Sequence, residues 1–209
     1  HGIIMIVATI IMVTGPFGNF IVPIMIGARD MAFPRLNALS FWLIVAAAVP
    51  LLWGQFIGGI STGWTAYNPL AGQAPLGMDG YIMFICIFAI STMVAGANIT
   101  TTVVRMRAKG MTWNRTPIFI YGVVASVVLA LPAFPVFFLS QIMSAMDRAL
   151  DTSFYNTAGG GSGWLYENLF WIMGHPEVYV ILIPAVAALM EMAPVFTRRP
   201  LFSFNVAVM

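Results

Sequence analysis

Charge is what this sequence has least of. Only 8% of its 209 residues are charged and 60% are hydrophobic, where a soluble domain carries roughly 25% charged residues. So few charges cannot cover a globule in water, and much of the outer surface must face lipid. A formal charge of only +2, carried in short separated clusters, also excludes a nucleic-acid binder. The single cysteine, Cys86, rules out an internal disulfide, and inside an apolar run it reads as a small packing residue. The start lacks an initiator methionine, a basic leader and a cleavage site. His1 opens directly on an apolar run, and Met209 closes soon after another begins at Leu201. An internal piece of a longer protein is therefore expected, forming a single transmembrane domain over residues 1–209.

What the chain has in abundance is long apolar stretches. A helix rises ~1.5 Å per residue and the bilayer core is ~30 Å thick, so runs of ~20 residues mark membrane spans. Five such runs lie at residues 1–28, 38–59, 80–104, 116–146 and 163–197. The expected fold class is all-α, a polytopic transmembrane helix bundle. The last two runs exceed a straight crossing, so tilt or extension past the lipid is expected. Pro132, Pro135, Pro176 and Pro184 fall inside them, as membrane helices tolerate when neighbouring groups satisfy the freed carbonyls. The fifteen methionines read as flexible packing.

Basic residues divide eight to one between alternate connections. Arg29 and Arg35 follow the first run, Arg105, Arg107, Lys109 and Arg115 the third, and Arg198 with Arg199 the fifth. Only Arg148 lies in the other connections, beside Asp79, Asp147, Asp151 and Glu167. By the positive-inside rule, the first, third and fifth runs end on the cytoplasmic side. The outer connections are rich in Gly, Trp and Tyr, which suits loops over a cofactor cavity or a partner subunit, and equally an interfacial belt.

Ionisable side chains at lipid depth are functional by default, and here they converge on Trp171-Ile172-Met173-Gly174-His175-Pro176-Glu177-Val178-Tyr179. His175 and Tyr179 stand four apart and share a helix face, while Glu177 is turned ~200° from either. Pro176 introduces a kink beside His175. A neutral imidazole is a common transition-metal ligand, and a phenol beside it can give a proton and an electron. Glu177 suits a residue that takes up and releases protons. The plainer reading has His175 and Tyr179 hydrogen-bonded to neighbouring helices. Ser91, Thr92 and Asn98 read either as a polar stripe along a water path or as interhelical hydrogen bonding. Glu191, toward the cytoplasmic end of the fifth run, reads as wetted.

The string Gly174-His175-Pro176-Glu177-Val178-Tyr179 resembles the His-Pro-Glu-x-Tyr signature of subunit I of haem–copper terminal oxidases. The likeness extends to Phe17-Gly18-Asn19, to Ile26-Gly27-Ala28-Arg29-Asp30-Met31-Ala32-Phe33-Pro34-Arg35 with Asn37, and to Gly63-Trp64-Thr65, Pro69-Leu70-Ala71-Gly72 and Ala158-Gly159-Gly160-Gly161. It covers essentially the whole chain in order, and it implies helices two to six of a bundle of about twelve. It implies a catalytic subunit that reduces O2 to water at a high-spin haem and a copper called CuB, with proton pumping.

The resemblance also implies roles. His175 resembles a CuB ligand, Tyr179 the tyrosine joined covalently to that histidine, and Trp171 a tryptophan packed near the copper. His1 resembles an axial ligand of the low-spin haem, although a terminal histidine by itself reads as interfacial. Asp30 resembles the mouth of a proton channel, Asn19 and Asn37 the asparagines ordering water near it, Ser91, Thr92 and Asn98 polar groups higher up, and Glu177 its inner terminus. Trp64 resembles a residue near a haem propionate, with an interfacial tryptophan as the equal alternative. Implied partners are subunits of the II and III type, O2, membrane lipid, and cytochrome c or quinol as donor, with cytochrome c favoured. The wording around Ala28-Arg29-Asp30 resembles bacterial members more than mitochondrial ones, which places the chain in a bacterial inner membrane. The competing class is a proton-coupled transporter or channel using His175, Glu177 and Tyr179, which would bind no haem.

Overall fold

The structure is a computed structural model and describes residues 2–208. Their regular structure is helical throughout: α1 (Gly2–Met12), a π-helical stretch (Val13–Ile21), α2 (Val22–Ile26), α3 (Pro34–Gly54), α4 (Leu70–Gln73), α5 (Gly77–Arg105), α6 (Ile118–Ala149), α7 (Gly163–Thr197) and α8 (Phe204–Val208), with 3-10 turns at Trp113–Arg115 and Thr157–Gly159. Among the described residues, α3, α5, α6 and α7 are the helices long and apolar enough to cross a membrane. They fall on the last four expected runs, and α7 occupies residues 163–197 as read from the sequence. At 35 residues it is about 50 Å long at ~1.5 Å per residue, well beyond a straight crossing.

The first run is helical as well, but it changes pitch midway. The widened stretch contains Gly15, Pro16 and Gly18. A proline cannot donate to the carbonyl four residues back, and the ladder widens at that point. Helix α2 stops at Gly27, whose φ of 71° is the left-handed conformation that favours glycine. The Gly27 N–H donates to Ile24 O at 3.2 Å and the Ala28 N–H to Pro23 O at 2.9 Å, closing the helix end. Pro34 then opens α3 at its first position, where a missing N–H costs nothing.

The long helices pack in series, α3 on α5, α5 on α6 and α6 on α7, each antiparallel to its neighbour. Small residues let α3 and α5 approach: a Cβ on Gly54 would lie 2.7 Å from Gly77 O, a contact typical of helices in lipid. One apolar core lies toward the outer loops, around Tyr81, Phe84, Phe134 and Phe170. A second lies toward the basic end, around Ile26, Ile99, Val103 and Ile120. The outward faces stay apolar, with Trp42 and Trp53 of α3, and Phe56 just after it, all exposed.

Two charged residues have partners that their spacing did not reveal. Arg148 donates to both Asp79 oxygens and to the carbonyls of Ala71 and Ala74, tying α6 to the outer connection before α5. Glu191 is half-buried, and its carboxylate accepts the Phe119 N–H at 3.3 Å. It thereby serves one of the amides left free at the start of α6.

Candidate functional site

Helix α7 presents its polar residues on two opposed faces. The rings of His175 and Tyr179 lie one turn apart with centroids 4.8 Å from each other and planes at 65°. Both are exposed, as is Trp171 a turn earlier, so the three share an outward face, on which Tyr179 also borders a cavity of about 470 Å³ with residues of α6 and α8. Glu177 is only 7% exposed and points the other way, into the bundle. Its carboxyl borders a cavity of about 20 Å³ that Trp64, Tyr81, Phe88, Phe137 and Met173 also line, room for about one water molecule. The opposition follows from helical geometry alone, since two residues turn a side chain ~200°.

An aromatic cluster anchors this stretch to the outer connection. Trp64 packs against Phe170 at 5.4 Å and Trp171 at 6.2 Å between ring centroids. The Trp171 indole N–H donates to the Tyr67 hydroxyl. Gly2 sits against the Trp64 ring, where an added Cβ would find it 3.5 Å away. His1, the expected haem ligand, lies outside the described residues.

A second group gathers at the basic end. Asn19, Asp30, Asn37 and Ser40 line one cavity of about 680 Å³, with Phe41 and Trp42 on its apolar side. Asp30 Oδ1 accepts the Met31 N–H at 2.7 Å. Asn37 Oδ1 is buried with no hydrogen-bond partner among the described residues, so it is free to accept from water in that cavity. Ser40 Oγ donates to Asn37 O at 2.8 Å, and Ser91 Oγ to Ser40 O at 2.7 Å.

The remaining polar residues of α5 stand apart from that cavity. The Asn98 side chain accepts the Phe33 N–H at 2.9 Å and donates to Phe33 O at 3.3 Å. Beside it, Thr102 Oγ1 accepts the Ala32 N–H at 2.9 Å. Both amide groups of Asn98 are thus engaged in holding the α2–α3 connection. Thr92 Oγ1 donates within its own helix to Phe88 O at 3.0 Å and borders a separate cavity of about 20 Å³ with Ser126, Val180 and Pro184. Spacing within α5 could not reveal these partners, because they come from other elements.

Among the described residues, no three His, Cys, Asp or Glu side chains converge as a metal-binding group. What they offer a transition metal is the single imidazole of His175. Its nitrogens lie on an open face beside a phenol, which fits one donor of a larger set.

Antiparallel apolar helices long enough to cross a membrane, one of them carrying an imidazole–phenol pair on one face and a buried carboxyl on the other, mark an integral membrane protein. Comparison with known sequences narrows that class. The family model described as "Cytochrome C and Quinol oxidase polypeptide I" matches residues 1–209, and the chain belongs to that family. It is 42% identical over 213 residues to a ubiquinol oxidase subunit 1 of Acetobacter aceti, covering 100% of this chain and 32% of that protein. It is 39% identical over 207 residues to a cytochrome c oxidase subunit 1 of Thermostichus vulcanus, covering 98% and 38%. With a cytochrome c oxidase subunit 1 of Bacillus subtilis the identity is 38% over 207 residues, covering 98% and 33%. The chain spans about a third of the length of these relatives.

Proposed function

We propose that residues 1–209 form one transmembrane domain, about helices two to six, of the catalytic subunit of a respiratory terminal oxidase that reduces O2 to water and pumps protons. The observation that carries this reading is the division of α7: His175 and Tyr179 pair outward, while Glu177 borders a water-sized cavity inward. Cytochrome c is the electron donor, ahead of quinol; the relatives include oxidases of both kinds. The partners are subunits of the II and III type, and the setting is a bacterial inner membrane.

When bound, the low-spin haem and the high-spin haem with CuB would relay the donor's electrons and provide the place where O2 is reduced. His175 would hold the copper through an imidazole nitrogen, with further donors from outside the described residues. His1, outside the described residues, would hold the low-spin haem iron. Tyr179, its ring against His175, would be placed to give a phenolic proton and an electron where O2 is reduced. Trp171, a turn before His175 and held by Trp64, Phe170 and Tyr67, would pack near the copper. Asp30, Asn19 and Asn37 gather protons and water in the basic-end cavity. Ser91 continues the polar path from Ser40, Thr92 serves a separate small cavity further along α5, and Asn98 keeps the inlet connection in shape. Glu177 receives the proton on a carboxylate oxygen and passes it on through cavity water.

Glu177→Gln in the full-length oxidase tests this reading. Removing a proton carrier is expected to slow oxygen uptake by roughly 10²-fold or more, with haem spectra intact. Wild-type oxygen uptake in that variant would sink the proton-delivery role.

A further inference from the structure

We infer that Tyr81 and Tyr166 are positioning residues that fasten the outer strap, residues 64–67, as a fixed wall of the Glu177 cavity; the assignment rests on the oxidase reading above. Tyr81 stands near the start of α5, is 1% exposed, and donates its hydroxyl to Trp64 O at 2.6 Å. Tyr166 stands near the start of α7, is fully buried, and donates to Thr65 O at 2.9 Å. Two successive carbonyls of one strap therefore each accept a phenol from a different helix. A third helix braces the arrangement, because the buried Gln141 of α6 donates its Nε2–H to the Tyr166 oxygen at 3.0 Å.

The strap needs holding. Ala66 has a φ of 50° and Gly63 one of 69°, and the left-handed region is unfavourable for alanine unless the surroundings impose it. Buried hydroxyls in turn need acceptors, and the strap carbonyls supply them. The outcome is a fixed height for Trp64, whose ring meets Phe170 and Trp171 and which, with Tyr81, borders the cavity beside Glu177. A cavity with room for about one water stays that size only while this wall stays down. If the strap lifts, Glu177 opens to water on the outer side.

Tyr81→Phe, Tyr166→Phe and the double variant in the complete oxidase keep both rings and remove the hydroxyls, so packing survives while the fastening is lost. Backbone hydrogen exchange in residues 62–68 is expected to accelerate by roughly fivefold for each hydrogen bond removed. The ratio of protons released to electrons consumed in sealed vesicles is expected to fall, most in the double variant, with the haem spectrum unchanged. Unchanged exchange would overturn the fastening, and faster exchange with a full proton-to-electron ratio would overturn the role of the wall. Glu177→Gln separates the two levels. If that variant stops turnover while the tyrosine variants behave as wild type, the inference alone falls. If it turns over normally, the oxidase reading falls first.

Discussion

Arg148 grips Asp79 with two hydrogen bonds, Nε to Oδ1 at 2.6 Å and Nη2 to Oδ2 at 2.9 Å, across 69 residues of sequence. The same guanidinium reaches Ala71 O at 2.7 Å and Ala74 O at 2.9 Å. Its planar fork serves several acceptors that a single ammonium could not. Arg148→Leu is expected to cost about 2 kcal/mol, discounted because the Asp79 side chain is 44% exposed and an exposed ion pair contributes little. A thermal unfolding curve of the full-length protein reads this, and Arg148→Lys should recover only part of the loss. An unchanged unfolding temperature would show that α4 and its flanks need no anchor.

Asn98 and Asn37 make a matched pair of opposite expectation. Asn98 is fully buried with both amide groups bonded to Phe33, whereas Asn37 Oδ1 has no partner among the described residues. Asn98→Leu should therefore destabilise by about 2 kcal/mol, the worth of two hydrogen bonds. Asn37→Leu should leave stability within about 0.5 kcal/mol and instead slow oxygen uptake by removing a water acceptor from the inlet. Measuring both quantities on both variants checks the assignment, and the opposite pattern would exchange the two roles.

The fate of Asn98 illustrates where sequence reading stops. Hydropathy marked five runs because a span must be continuously apolar, four of them are long helices among the described residues, and α7 could be bounded closely because Gly163 and the Arg198-Arg199 pair punctuate it. The opposition of Glu177 to His175 and Tyr179 was legible too, being a property of one helix. Partners contributed by another element were not. Asn98 meets a connection 65 residues away, and Tyr81 and Tyr166 meet carbonyls whose position depends on how the strap folds. Arg148, read as the exception to a charge rule, is a hub for the same reason. The pitch change at residues 13–21 was also hidden, since Gly15, Pro16 and Gly18 are compatible with a kinked α-helix as well as a widened one.

Tyr155 supplies a pH dependence in the connection between α6 and α7. It is 1% exposed, its hydroxyl donates to Ser140 O at 3.1 Å, and its N–H donates to Asp147 at 2.8 Å. Burial, and then the Asp147 carboxylate, push this phenol above its ordinary value. A phenol that ionises later in the folded state than in the unfolded one stabilises the fold fully below pH ~10, and the contribution is lost as pH rises through the higher folded value. The unfolding temperature is expected to decline above pH ~10, and Tyr155→Phe should flatten that decline while costing about 1 kcal/mol at neutral pH. An identical alkaline decline in the variant would contradict the assignment.

His175 is proposed above as a copper donor of a haem–copper oxidase. Its most direct test is the copper content of the full-length oxidase against its His175→Asn variant, with the haem spectrum recorded on the same samples. The account predicts a loss of about one copper atom per catalytic subunit, because a site deprived of one imidazole binds the metal far more weakly, with the low-spin haem retained. Equal copper in both proteins, or no haem in the wild type, would contradict it.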